Sequence, residues 1–199
     1  MKALQKILTF SSVLILLPCL IDGCMNTEEL HDYNDNMLRR AERGDSSTQF
    51  NLAWCYLHGN GVSKNYPMAV KWFRLAAEQG HDRAQVNLGR CYALGIGTVK
   101  NQAEAVKWFR RAAENGNVSA QNILGLCYLN GQGVTKNSSE AVKWFRRAAE
   151  KKSAEAQFNL GISYLNGKGV PKDYSLAAGW FRRAAQHGHA KAQFHDQFA

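Results

Sequence analysis

Three cysteines, the most reactive side chains of this sequence, recur at a fixed spacing. Cys55, Cys91 and Cys127 lie 36 residues apart, and Ser163 takes the fourth place in the series. Regularly spaced thiols can form disulfides, ligate a metal or act as nucleophiles. If the spacing marks a helical repeat, equivalent helices lie about 8–10 Å apart, whereas a disulfide needs Cα atoms within about 7 Å. We therefore predict half-buried free thiols.

Other residues that could carry chemistry are few. His187 and His189 flank Gly188, but no cysteine or carboxylate stands at ligand spacing, so a turn is the better interpretation. No nucleophile has a base placed beside it, and the Gly-x-Gly motifs do not connect a strand to a helix. We therefore predict that the chain is not an enzyme and has no catalytic, cofactor-binding or metal-ligating residues.

Basic side chains recur in clusters, and the formal net charge is +9, which permits anionic partners. The clusters either contact anionic lipid, cell-wall polymer or nucleic acid, or form a solvated outer face. They follow helix amphipathicity without interleaved aromatic residues, which favours the solvated face and no nucleic acid. The clusters are Lys71/Arg74, Lys107/Arg110/Arg111, Lys143/Arg146/Arg147 and Arg182/Arg183.

The elements that position these residues follow the same period of 36 residues. Such self-similarity is the mark of a repeat architecture. It is carried by Trp72, Trp108, Trp144 and Trp180, by Tyr56, Tyr92, Tyr128 and Tyr164, and by Gln49, Gln85, Gln121, Gln157 and Gln193.

Each copy predicts two helices. In the second copy, Ala84, Leu88 and Tyr92 share one stripe of a first helix, which ends at Gly95. Asn101 is a suitable N-cap for the second helix, and the equivalent caps are Asn65, Asn137 and Asp173. The second helix buries an apolar stripe made of Ala105, Trp108, Phe109, Ala112 and Ala113.

One such hairpin cannot bury its own apolar face, so the copies must stack. We predict an all-α fold, a right-handed αα-hairpin solenoid (superhelix) of four full repeats with half-repeat caps, after an N-terminal signal segment. We expect a monomer. The predicted bounds are 1–23 for the signal, 24–44 for a capping helix, 45–80, 81–116, 117–152 and 153–188 for the repeats, and 189–199 for the half-repeat.

The N-terminus is typical of an exported chain. Lys2 and Lys6 precede an apolar run that is short for a membrane span, as in a signal peptide, and we expect cleavage between Gly23 and Cys24. Residues 21–24 also resemble a bacterial lipobox, in which the cysteine is lipidated, although Asp22 departs from that pattern. A soluble periplasmic or secreted form and a lipoprotein anchored through Cys24 both stay open, with an uncleaved anchor as the third alternative.

The repeat resembles the SEL-one-like repeat (SLR) family, relatives of the tetratricopeptide repeats. The match covers about residues 45–199, and Lys152 replaces the closing glycine of the third copy. The resemblance implies a superhelix that serves as an adaptor or scaffold. Some cysteine-rich relatives are linked to penicillin binding or β-lactamase activity, but their cysteines pair within each repeat, and this chain has at most one per repeat. The fourth copy carries Ala154, Ala156, Leu160, Gly161, Tyr164, Gly167, Gly169, Ala177, Trp180, Ala184, Ala185 and Gly188.

In such solenoids the first helices usually line the concave surface, so their variable positions are candidates for recognition. Positions spaced i, i+4, i+7 and i+11 share one helix face. We predict a protein or peptide partner in this groove, with an anionic cell-wall or membrane polymer as the alternative and a β-lactamase-like enzyme last. The candidate residues are Asn51, Trp54, His58, Arg83, Asn87, Arg90, Ile123, Leu126, Asn130, Asn159, Ile162 and Asn166; Ser47, Leu94, Ser119, Glu155, Lys191 and His195 complete the rows.

Overall fold

The structure is a computed structural model that describes residues 36–192. The predicted signal peptide, Cys24, Gln193 and His195 lie outside the described residues. The segment bounds given above stay predictions.

Every regular element of residues 36–192 is helical, so the predicted all-α fold of paired helices is confirmed. No helix in this range is long and apolar enough to cross a membrane. Eight of the helices have 13 residues each. The helices are α1 (36–42), α2 (Ser46–His58), α3 (Tyr66–Glu78), α4 (Asp82–Leu94), α5 (Gln102–Glu114), α6 (Val118–Asn130), α7 (Ser138–Glu150), α8 (Ala154–Asn166) and α9 (Tyr174–Gln186), and another helix begins at 190.

Local sequence sets the helix ends. The first helices end on left-handed glycines with φ between 65° and 76°, a conformation that costs glycine little. The predicted N-caps of the second helices are confirmed, because each side chain accepts a hydrogen bond from the backbone N–H three residues on, at Asn65, Asn101, Asn137 and Asp173. The first helices also have N-caps, which were not predicted from the sequence, namely Asp45, His81, Asn117 and Ser153.

The chain divides into two compact units, and the first contains α1 to α4 within residues 36–100. Helix α3 packs against both α2 and α4. Leu52, Phe73 and Leu88 are fully buried in this unit. Gly97 is left-handed, and a Cβ there would overlap the backbone carbonyl of Tyr66. The loop after α4 therefore closes tightly on the start of α3.

The second unit contains α5 to α9 within residues 101–192. Each helix packs against the next one along the chain. Phe145 is fully buried, and a Cβ on Gly125 would lie 2.5 Å from its ring. Gly161 meets the ring of Phe181 in the same way, at 2.7 Å. These glycines let the two helices of a hairpin approach closely.

The recurring tryptophans and glutamines face the interior. Trp72, Trp108 and Trp144 are each 5% exposed, and Trp180 is half-buried. Each of the four glutamines of this series within residues 36–192 donates its side-chain N–H to a carbonyl near the end of the preceding second helix. These bonds are Gln49 to Ala41 at 2.9 Å, Gln85 to Ala77 at 3.1 Å, Gln121 to Ala113 at 3.0 Å and Gln157 to Ala149 at 3.1 Å.

Candidate protein-binding surfaces

The variable positions of the first helices reach the surface. None of the twelve predicted groove residues is buried. Those on α2 and α4 are exposed except for the half-buried Asn87. In the second unit Asn130 and Asn166 are exposed, whereas the half-buried residues are Ile123, Leu126, Asn159 and Ile162.

An aromatic cluster lies on the first unit. The Trp54 ring is 40% exposed, and its centroid lies 4.0 Å from that of His58 and 6.3 Å from that of Phe50. Phe50 is buried and stacks on His81 at 4.8 Å. The guanidinium of Arg83 lies over the Phe50 ring, also at 4.8 Å. Arg83 at the start of α4 and Trp54 on α2 thus both neighbour the Phe50 ring.

Arg90 is exposed and holds on α4 the repeat position that Trp54 holds on α2, so we assign it to the same surface. We call Phe50, Trp54, His58, Arg83 and Arg90 the Trp54 patch. Three of its exposed members are an aromatic ring and two arginines, and these are the residue types most enriched at interface hot spots.

A cavity of about 520 Å³ opens on the second unit. Asn122 is only 4% exposed, and it links two neighbours on α8: its amide donates to Glu155 at 3.1 Å and accepts from Asn159 at 2.9 Å. The Phe158 ring stacks on His189 at 4.2 Å. The cavity is lined by Asn122, Leu126, Glu155, Phe158, Asn159, His189, Ala190 and Lys191.

The sequence predicts only part of these two sites. Leu126, Asn159, Glu155 and Lys191 line the cavity as members of the predicted rows, whereas Ile123, Asn130, Ile162 and Asn166 do not. A repeated spacing in the sequence could have identified the aromatic residues that were missed. A phenylalanine is followed 31 residues later by a histidine that caps the next first helix, in two places: Phe50 with His81, and Phe158 with His189.

Most basic residues of the second helices contact other side chains of the same chain. Arg74, Arg110 and Arg146 donate to the hydroxyls of Tyr92, Tyr128 and Tyr164; the second distance is 2.6 Å and the third 3.2 Å. Lys107 and Lys143 pair with Glu104 and Glu140 at 2.9 Å.

The expectation that aromatic residues are not interleaved with the basic clusters is wrong. An arginine three residues after a tryptophan lies on the same helix face and covers its ring. The distances are 4.7 Å for Arg111 over Trp108, 4.6 Å for Arg147 over Trp144 and 4.7 Å for Arg183 over Trp180.

A model of the Sel1 repeat matches residues 46–81, 82–117, 118–153 and 154–189. The chain belongs to the Sel1 repeat family. Its members commonly act as protein–protein interaction scaffolds and are generally not enzymes.

Two solved structures resemble this Sel1 repeat chain closely. A Sel1 repeat protein from Oxalobacter formigenes is 41% identical, with a TM-score of 0.78 over 84% of this chain and 68% of that one. The protective antigen c5321 of uropathogenic Escherichia coli, which has an SLR fold, is 39% identical, with a TM-score of 0.77 over 79% of this chain. This chain spans only 34% of that antigen. None of the curated proteins compared with the chain matches it.

Cysteine-rich protein B of Helicobacter pylori shares the fold, at 23% identity and a TM-score of 0.52 over 67% of this chain and 96% of that one. In the present Sel1 repeat chain Cys55, Cys91 and Cys127 are free thiols, as predicted. Only Cys55 is half-buried; Cys91 and Cys127 are buried, which corrects the expectation for those two. Burial raises the pKa of all three thiols, that of Cys91 to about 11.

The paired histidines have structural partners. His187 Nδ1 lies 2.9 Å from Gln157 Oε1, and His189 Nδ1 accepts a hydrogen bond from the backbone N–H of Ala192 at 3.2 Å. In the described part of the chain no group of three or more potential ligands is placed to hold a metal ion.

Proposed function

We propose that this Sel1 repeat protein binds a peptide or protein through the first-helix surface, with Trp54 as the anchor. One observation carries the proposal. The repeat tryptophans Trp72, Trp108 and Trp144 are 5% exposed, whereas Trp54 is 40% exposed. Its neighbour Phe50, 6.3 Å away between ring centroids, is covered by the guanidinium of Arg83. Exposed tryptophan and arginine side chains are the residue types most enriched at interface hot spots, where they supply much of the binding energy.

Trp54 is also held in place before any partner arrives. His58 packs against its ring at 4.0 Å, and His58 Nδ1 lies 3.0 Å from the Trp54 carbonyl oxygen. A side chain that is already ordered loses less conformational entropy on binding. This favours Trp54 as an anchor for a partner.

Export is part of the proposal. The basic start and the short apolar run of residues 1–23 support it. Intact-mass analysis of the native chain tests it. A mature chain that begins at Cys24, with or without the mass of attached lipid, is the expected result, and a chain that retains Met1 in the cytosol would contradict it.

The binding proposal is tested by affinity capture with the chain as bait. The variant Trp54→Ala/Arg90→Ala should lose its partner by about a hundredfold or more in affinity, since two hot-spot residues are removed. The matched control is Tyr174→Ala/Lys172→Ala, which removes another exposed aromatic residue and the cation that lies 4.7 Å from its ring. Circular dichroism checks that both variants are folded. Equal loss, or no loss, in the two variants would contradict the proposal.

A further inference from the structure

The charges of the Trp54 patch restrict what it can bind. We infer that its occupant is an acidic peptide segment in which carboxylates flank an apolar side chain. The inference rests on the proposed function and adds the chemical class of the partner.

The two arginines of the patch have free hydrogen-bonding capacity. Arg83 uses the face of its guanidinium on the Phe50 ring, at 4.8 Å, so its N–H groups at the edge stay available. In residues 36–192 neither guanidinium forms an ion pair or a hydrogen bond with a carboxylate. Arginine N–H groups match a carboxylate in a two-point geometry, which makes a carboxylate their natural ligand.

The first helices of this unit do not supply that carboxylate. Helix α2 contains no acidic residue, and α4 contains only Asp82. Asp82 stands at the helix start, where its carboxylate accepts a hydrogen bond from the backbone N–H of Arg83 at 2.7 Å. The residues of the patch therefore carry two arginine charges and no carboxylate. Acidic segments are attracted to such a surface, and basic ones are repelled.

The cavity of the second unit has a different charge pattern. There Glu155 and Lys191 both line the site, and Glu155 is held by Asn122 at 3.1 Å. A surface that carries both a negative and a positive charge does not select acidic peptides. The preference is therefore assigned to the Trp54 patch alone.

The spacing of the arginines suggests the spacing of the carboxylates. Arg83 and Arg90 are seven residues apart on α4, which is about 10.5 Å along a helix. A peptide in the polyproline II conformation has three residues per turn and advances about 3.1 Å per residue, so two acidic residues three positions apart lie on one face and cover nearly the same distance. An apolar residue between them, next to the one that meets Arg90, would face Trp54, which holds on α2 the repeat position that Arg90 holds on α4. The exposed amide of Asn51 can bind the peptide backbone.

A charge-reversal selection tests the inference. Short random peptides displayed on phage are selected on the full chain, on Arg83→Glu/Arg90→Glu, and on the control Lys100→Glu/Lys168→Glu. The control changes the net charge equally, on exposed loop lysines. Peptides selected on the wild type and on the control should be acidic, with two carboxylates three positions apart. Peptides selected on Arg83→Glu/Arg90→Glu should instead be basic.

The variant Trp54→Ala separates this inference from the proposed function. Neutral or basic peptides selected on the wild type, or a pool unchanged by charge reversal, would overturn the acidic preference. If Trp54→Ala no longer selects those neutral or basic peptides, the proposed binding function stands, but without a preference for acidic peptides. If Trp54→Ala selects the same peptides as the wild type, the binding proposal itself fails.

Discussion

Lys152 has a left-handed backbone conformation that glycine adopts more easily. Its φ is 64°, and it is the only non-glycine residue with positive φ among those described. At the equivalent position of the other repeats, Gly44, Gly80, Gly116 and Gly188 have φ between 87° and 98°. The sequence showed that the glycine was missing at Lys152, but not that the backbone keeps the left-handed turn without it.

We expect Lys152→Gly to stabilise the protein by about 0.5–1 kcal/mol. Relief of the left-handed strain exceeds the entropy that glycine gains in the unfolded chain. Gly80→Ala is the matched control: φ is +87° and no atom lies within 4 Å of a Cβ there, so it should destabilise through the backbone alone by about 1 kcal/mol. Urea unfolding measures both changes. A loss of stability in Lys152→Gly would contradict the expectation.

The buried thiol of Cys91 should make stability depend on alkaline pH. Its pKa is raised from 9.0 to about 11 because burial disfavours the thiolate, so the folded chain holds the proton more tightly than the unfolded chain. This contribution is complete below about pH 9 and is lost as the pH rises towards about 11. Cys91→Ser, which places in the second repeat the Ser163 of the fourth, should remove it.

The measurement is the difference in free energy of unfolding between wild type and Cys91→Ser across that pH range. Parallel profiles would show that the thiol makes no such contribution.

At neutral pH a maleimide should label the half-buried Cys55 before Cys91 and Cys127, which are buried.

At the scale of helices, local signals were predictable and contacts between helices were not. The caps at Asn101 and Asn137 and the end of α4 at Gly95 depend on residues a few positions apart, so the sequence predicts them well. The bond between Asn122 and Glu155 joins residues 33 positions apart. It depends on side-chain rotamers that the repeat pattern does not specify. The sequence therefore predicted which helix face carries the candidate surface, but it did not predict the buried Asn122 at its centre.

The bond between Arg110 and Tyr128 connects a second helix to the next first helix. The guanidinium donates to the tyrosine hydroxyl at 2.6 Å, and its carbon lies 5.6 Å from the ring centroid. Tyr128→Phe keeps the ring and removes the acceptor, so we expect a loss of about 1 kcal/mol of stability. Tyr174→Phe is the control, since that residue is 63% exposed. Equal unfolding midpoints for the two variants would show that the bond does not stabilise the repeat contact.

At the scale of the whole molecule, the sequence predicted a repeat fold but not how its charge is used. The net charge of +9 left anionic polymers open as partners. In the structure, Arg111 and Arg147 cover tryptophan rings and Arg110 binds a tyrosine hydroxyl. These are contacts between residues three or eighteen positions apart, and only the first spacing can be read from a single helix. The basic clusters thus have structural roles that composition alone does not reveal.

Salt dependence distinguishes the two modes of binding for the complete chain. A peptide selected on the Trp54 patch gains part of its affinity from the apolar contact with Trp54 and part from two arginines, so screening weakens only the second part. Binding of heparin, an anionic polymer, would depend on many exposed cations and should fall much more steeply with ionic strength. Fluorescence anisotropy at increasing sodium chloride measures both slopes. If the peptide slope were as steep as that of heparin and unchanged in Trp54→Ala, the molecule would be binding through its overall charge rather than through the patch.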